Sequence, residues 1–221
     1  MKPMKFSLRN LIFYVLGCVF IAFGVVMMIR SGLGTSSWDT LHYSLHRLFG
    51  MTVGTATIVV AMIFTAFVIW MNRSFRYILM TIPILLVGSL IDLFDLVLLV
   101  DFTVTVLWQQ IPVFTLGLLL LPLGGSLLII STFPAGVFDE FMLGLMKMLN
   151  TDKLVLVRVI MELSAVTVAV ILSFIAGDKF GTFNVGTLVF SLLVGTLVKL
   201  YLSMWQKIGY YEISPTKELE S

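Results

Sequence analysis

The stretch GLGTSSWDTL, residues 32–41, decides how the chain is to be read. It follows an apolar run of membrane-spanning length, and it crowds two glycines, a series of hydroxyl side chains, a tryptophan and an aspartate into ten positions. Such a segment is either a connector between two membrane helices or the working part of the molecule. A second stretch, TFPAGVFDEF at residues 132–141, bears on the choice.

Composition sets the solvent. Of the 221 residues, 59% are hydrophobic and 12% charged, with a mean hydropathy of +1.08. Soluble domains carry about a quarter charged residues, so this chain is not made for water. A spanning helix needs about twenty apolar residues. Six such stretches can be drawn, at 11–29, 53–71, 77–100, 111–130, 154–176 and 183–205. The expected fold class is therefore all-α, a polytopic membrane protein with six transmembrane helices in a single membrane domain. Lys2, Lys5 and Arg9 ahead of the first run resemble the start of a signal peptide, but the run is about nineteen residues long and no small-residue cleavage site follows. It reads as a first span that stays. The one cysteine, Cys18, lies inside that run, facing lipid or another helix, and a lone cysteine allows neither an internal disulfide nor a multi-cysteine metal site.

Lysine and arginine positions set the orientation. With the N-terminus inside, Lys2, Lys5, Arg9, Arg73, Arg76, Lys147, Lys153, Arg158, Lys199, Lys207 and Lys217 fall on the cytoplasmic side, and only Arg30, Arg47 and Lys179 fall outside. Both termini are accordingly expected in the cytoplasm, with a cytoplasmic tail over 207–221.

The halves resemble each other. A shift of 100 residues places Gly24 on Gly124, Ser31 on Ser131, Trp38 on Phe138, Asp39 on Asp139, Leu45 on Leu145 and Arg47 on Lys147. A shift of 107 places LLVGSLIDLF (85–94) on LLVGTLVKLY (192–201), with six identical positions and one radical change, Asp92 against Lys199. The expectation is an internal duplication, repeat one over about 11–100 and repeat two over about 111–206. Three spans in each copy invert the second relative to the first, the arrangement typical of secondary transporters and some channels.

In this frame GLGTSSWDTL acquires a twin. Trp38, Leu41, His42, Leu45, Leu48 and Phe49 recur at helical spacing, as do Phe138, Phe141, Met142, Leu145, Met148 and Leu149. Each helix is only about 20 Å long, too short for a hydrocarbon core of about 30 Å. Each is re-entrant or lies at the interface. Ser36 with Asp39 three positions on has the pattern of a capping box, and Gly136 takes the cap position ahead of Asp139. Both aspartates then complement a helix N-terminus. Gly32, Gly34 and Gly136 permit sharp bends or close approach, and Pro134 fixes a turn. If the loops dip in from opposite faces, their amides converge on an anionic or zwitterionic solute. The candidate binding residues are Gly32, Gly34, Ser36, Ser37, Trp38, Asp39, Pro134, Gly136, Phe138 and Asp139.

Ionisable groups within spans are costly and mark function. Arg158 and Glu162 are four apart on one helix face and can pair, with Arg158 near enough to the end to snorkel and Glu162 a candidate proton carrier or solute contact. Asp92 and Lys199 are further candidates for coupling, with solvation at the outer face and snorkelling as their simpler roles. Asp95 and Asp101 read as solvated. His42 and His46, one turn apart, have a spacing that can hold a metal, but no third ligand is evident and an interfacial amphipathic helix explains both. Trp70, Trp108 and Trp205 read as aromatic-belt anchors. Ser89 and Thr196, with Gly88 and Gly195, suit close helix packing.

No HExxH, GxxxxGK[ST] or GxSxG run occurs, and no nucleophile pairs with a base. Neither catalysis nor a cofactor is expected, and the sparse charge offers nothing to nucleic acid. The partners expected are the lipid bilayer, a small polar solute and, since six spans are few for a carrier, a second copy in a homodimer. The two function classes in play are a small secondary transporter of an anionic or zwitterionic solute, and a non-transporting accessory protein that stabilises a membrane complex. A channel is the weaker third.

At GLGTSSWDTL, together with KFGTFNVGTLVFSLLVGTLVKL (179–200), the chain resembles the YitT/YczE/YyaS family of bacterial integral membrane proteins, and most of all its YczE branch. Ser37 stands where that family often has proline, and Phe183 and Asn184 interrupt the later glycine-rich run. The resemblance covers nearly the whole chain. It implies a location in the bacterial cytoplasmic membrane and carries over no binding or catalytic residue.

Overall fold

The computed structural model describes residues 7–134 and 136–210. Lys2, Lys5 and Lys217, and the tail from residue 211 on, lie outside the described residues. Long apolar runs give long helices: α1 (Leu8–Ser31), α3 (Val53–Asn72), α5 (Leu107–Ser131), α7 (Leu154–Ile175) and α8 (Val185–Lys207), with α4 (Thr81–Leu93) the α-helical middle of a sixth run. Between them lie two short amphipathic helices, α2 (Ser37–Phe49) and α6 (Val137–Met148). A 3-10 segment, Phe75–Met80, leads into α4 and a π segment, Phe94–Leu98, extends it, so that Phe75–Leu98 forms one 24-residue rod. Six helices are long and apolar enough to cross a membrane, and the described residues contain no strand. Their bounds agree with the spans drawn from sequence to within a few residues.

α1 packs most extensively on α5, and glycine is the reason the two come so close. A Cβ on Gly17 would lie 2.9 Å from the Gly124 carbonyl oxygen, and one on Gly124 would lie 2.6 Å from the Gly17 oxygen. Gly24 and Gly117 face each other in the same reciprocal way. Gly17 opposite Gly124 and Gly24 opposite Gly117 make the two helices antiparallel. The end of α1 therefore lies level with the start of α5, where Gln110 reaches Gly32. Ser31 and Ser131, where the two helices stop, are at opposite ends of the bundle, about 30 Å apart by helical rise.

Around this pair the other contacts come in matched sets. α4 lies on α1 as α8 lies on α5, α2 packs on α7 as α6 packs on α3, and α2 touches α3 as α6 touches α7. α1 and α5 end alike, with Gly32 and Thr132 in the left-handed region at φ 70° and 63°. Ser31 and Ser131 each donate to a carbonyl three residues back and accept the amide two residues on.

One matched set is broken. α3 docks on α4 because Gly54 and Gly88 remove side chains at the crossing and because Asp92 reaches the α3 N-terminus. Asp92 accepts hydrogen bonds from Thr52 Oγ1 at 2.6 Å and from the Gly54 amide at 2.8 Å. In the other half Leu154 and Lys199 stand in these places, and α7 and α8 barely touch. Gly195, expected at a close crossing like Gly88, meets open space, because α7 does not pack against α8 as α3 packs against α4. Asp95, expected to be solvated, instead pairs with Arg30 at 2.7 Å and so ties the end of α1 to the end of the α4 rod. Trp205 does more than sit at an interface: its indole N–H donates to Ser126 Oγ at 3.0 Å. Trp70 and Trp108 are exposed, as belt anchors would be.

Candidate functional site

The chain leaves α1 and α5 at opposite ends of the bundle, and both times it turns back. Residues 33–35 descend beside the α8 N-terminus, where the Gly186 amide donates to the Leu33 carbonyl at 2.7 Å and the Thr35 amide to Thr187 Oγ1. Gly34 must be glycine here: its φ is 130°, and a Cβ would run into the Thr187 amide. At the other end Tyr14 donates its hydroxyl to the Pro134 carbonyl, anchoring residues 132–134 against α1. Both short helices then start near the middle of the bundle and run outward. α2 lies along α7, with Ser44 on Ser173 and Arg47 on Asp178 near the end of α7. α6 lies along α3, with Gly144 against Met71 and Asn72 near the end of α3.

The two first turns meet. Trp38 and Phe138 stack with ring centroids 4.0 Å apart and planes 16° from parallel. Phe64, mid-way along α3, stands edge-on to both. Aromatic pairs of this kind add about 0.5–1.5 kcal/mol to their burial, so the junction of the half-helices is a packed joint.

Beside that joint is a pocket of about 170 Å³, lined by Trp38, Gly136, Phe138, Asp139, Met142, Arg158, Met161 and Glu162. α6 brings Asp139 in its first turn, and α7 brings Arg158 and Glu162 from the same face. The pocket thus joins an aromatic wall, two carboxylates, one guanidinium and the open N-terminus of α6. Arg158 and Glu162, able to pair by spacing, form no ion pair with each other; both face the shared cavity. Arg158 is exposed and Glu162 half-buried.

The structure brings together six of the residues singled out from sequence, namely Trp38, Gly136, Phe138, Asp139, Arg158 and Glu162. It separates the others. Gly32 and Gly34 shape the loop onto α8. Pro134 takes the Tyr14 bond. Ser37 is buried at the start of α2. Asp92 caps α3 across a helix interface, and Lys199 is exposed on α8.

Asp39 and Asp139, matched in sequence, have parted company. Asp139 is exposed to the pocket, whereas Asp39 is buried. Ser36 accepts the Asp39 amide at 3.1 Å, the expected cap, but donates its own hydroxyl to the Asp39 carboxylate rather than leaving it for the backbone. The other carboxylate oxygen lies 3.5 Å from His42 Nδ1. The spacing of His42 and His46 suits an interfacial helix, but His42 is 2% exposed. The cue was present in its spacing from Asp39, one helical turn away on the face that carries Trp38 and Leu45. The positions on α3 that match Arg158 and Glu162 are Ile58 and Met62, so α3 offers Asp39 no counterpart of that arginine and glutamate. Among the described residues no cluster of three metal-ligating side chains occurs.

Residues 8–203 match a protein family of unknown function, DUF6198. The chain belongs to that family. It is 32% identical over 207 residues to the uncharacterized membrane protein YczE of Bacillus subtilis, covering 91% of this chain and 89% of that one. It is 24% identical over 195 residues to the uncharacterized protein YyaS of the same organism, covering 88% and 93%. The resemblance read from GLGTSSWDTL and the glycine-rich run near α8 is thereby borne out. With six apolar helices and a membrane-protein relative, this DUF6198 member is a multi-pass integral membrane protein. No solved structure matches it.

Proposed function

We propose that the chain is a secondary transporter for a small zwitterionic solute, working by alternating access from two inverted repeats. The observation that carries this reading is the convergence of Asp139, Arg158 and Glu162 beside the Trp38–Phe138 joint, at the N-terminus of α6. Discontinuous helices whose N-termini meet at mid-membrane are where transporters hold their solutes. The matched contacts of α1 with α5, and of α2 and α6 with α7 and α3, support a two-fold relation between the repeats. The Lys/Arg bias supports cytoplasmic termini, and the bacterial relatives support a place in the cytoplasmic membrane.

The charge of the pocket narrows the solute. Two carboxylates against one guanidinium oppose a simple anion, because the excess negative charge of the pocket repels it. A zwitterion satisfies both signs. Arg158 takes its carboxylate, Asp139 and Glu162 take its cationic end, and the aromatic faces of Trp38 and Phe138 add attraction for an ammonium group. About 170 Å³ fits a solute of amino-acid or betaine size.

Glycine betaine and acetate, presented to the purified protein in nanodiscs and to proteoliposomes, test the reading. Betaine should bind and enter vesicles while acetate does neither. Asp139→Asn and Glu162→Gln should each weaken betaine binding at least about tenfold, the loss of one opposite charge beside the trimethylammonium group, while the protein still inserts and folds. If no zwitterion of this size binds or moves, and pocket substitutions leave the phenotype of the intact cell unchanged, the accessory role replaces the carrier.

A further inference from the structure

His42 lies outside the pocket wall yet is the most thoroughly buried titratable side chain at the half-helix joint, 2% exposed. Its surroundings fix its protons. Nδ1 lies 3.2 Å from Thr57 Oγ1 and 3.5 Å from Asp39 Oδ1. The Thr57 hydroxyl already donates to the Val53 carbonyl at 3.0 Å, so toward His42 its oxygen only accepts. The Asp39 carboxylate also only accepts. Nδ1 therefore carries the hydrogen. The neutral ring then presents a bare lone pair at Nε2, and Nε2 is a buried side-chain atom without any hydrogen-bond partner. A buried acceptor left unpaired is unfavourable and rare in native proteins.

We propose that His42 Nε2 is a proton-binding site, with Asp39 as its counter-charge, and that it is the group that couples proton movement to the carrier. Proton uptake adds one H⁺ to Nε2, leaves Nδ1–H in place and turns a neutral ring beside a carboxylate into an imidazolium–carboxylate pair. Asp39 is itself held by Ser36, so the carboxylate is fixed to receive the charge. The contacts His42 receives from α3 and α6 are uncharged. α3 supplies Thr57, and α6 supplies Phe138, whose ring centroid is 6.4 Å from that of His42. Asp139, Arg158 and Glu162 line the neighbouring pocket, of which His42 forms no part. Asp92 is engaged at the α3 N-terminus. His46, one turn along α2, has its Nδ1 on the Met51 carbonyl. α2 carries both His42 and Trp38, so a charge gained at His42 acts on the helix that bears the aromatic joint. The coupling role rests on the carrier reading; the protonation does not.

The chain has only two histidines, so ¹⁵N-histidine labelling of the His46→Gln protein in nanodiscs leaves one ring to observe. The expected spectrum at alkaline pH is Nδ1–H with a bare Nε2, and acidification should protonate Nε2 alone. Asp39→Asn, which keeps the Ser36 cap, should lower the proton affinity of His42 at least about tenfold through loss of the nearby opposite charge. Thr57→Val, which keeps Asp39, should allow the Nε2–H tautomer to appear. A ring that is Nε2–H throughout, that never titrates while the protein is folded, or that ignores both substitutions overturns the proton site. For the coupling, vesicles loaded with the pH dye pyranine and given glycine betaine should take up protons with the solute, and His42→Gln should cut the ratio of protons to betaine moved at least about tenfold. Betaine uptake without proton movement overturns the coupling and leaves the carrier standing. Absence of any betaine movement overturns the carrier, and with it the coupling, while the spectra alone then judge the proton site.

Discussion

Trp38 and Phe138, aligned by the internal shift of the sequence, lie face to face with ring centroids 4.0 Å apart. The two helices that precede them end at opposite ends of the bundle. Contact between these rings therefore requires both connecting segments to fold back toward the centre, and it turns two amphipathic half-helices into one central joint. Truncating Trp38 should remove the keystone. We expect Trp38→Ala to destabilise the protein by about 3–5 kcal/mol, the usual cost of deleting a packed aromatic, measured by denaturant unfolding in mixed micelles. Trp108→Ala, at a site 70% exposed, should change stability by less than about 0.5 kcal/mol.

The α1–α5 crossing depends on absent side chains. Gly17→Leu places atoms where the Gly124 carbonyl and Leu128 already lie, and overpacking of this kind costs about 1–3 kcal/mol. Gly125→Leu points into open space and should be neutral. A shared loss in both variants, read as thermal stability in detergent, would contradict close approach as the cause, since the higher helix propensity of leucine would by itself favour both.

Asp92 is a structural carboxylate by its contacts. Asp92→Asn should cost about 1–3 kcal/mol through weakened bonds to Thr52 and Gly54, with solute affinity in the pocket unchanged. A variant of normal stability that fails to transport would instead restore Asp92 to a coupling role.

Gly34 combines a positive φ of 130° with a collision at Thr187. Gly34→Ala should destabilise by about 1–3 kcal/mol, the range for a side chain forced into such backbone. Gly50→Ala, also at positive φ but with nothing within 4 Å, should cost only about 1 kcal/mol. Parallel unfolding curves of the two variants measure the difference.

Much of this was legible in the residues. Hydropathy alone places the six long helices, because a bilayer demands about twenty apolar residues and little else does. The short helices were visible from their periodicity and their caps, since Ser36 and Gly136 sit where a helix must start. The pocket was half legible: Asp139, Arg158 and Glu162 stood out as charges in apolar surroundings, but only tertiary packing decides that α6 and α7 bring them to one cavity. What sequence could not give was the different fate of matched residues. Asp39 and Asp139 look alike in one dimension, yet Ser36 and His42 hold the first while α7 offers the second an arginine and a glutamate. Arg30–Asp95 and the docking of Gly34 on Thr187 join residues 65 and 153 positions apart, and no local pattern signals either.

Access to the pocket from both faces is the most direct test of the carrier. Met161 lines the pocket on α7, and Cys18 is the one native cysteine of the chain. In a Cys18→Ala background, Met161→Cys should react with a membrane-impermeant thiol reagent added to right-side-out vesicles and also when added to inside-out vesicles, and glycine betaine should slow both reactions. Labelling from one face alone, whatever solute is present, would contradict alternating access through this pocket.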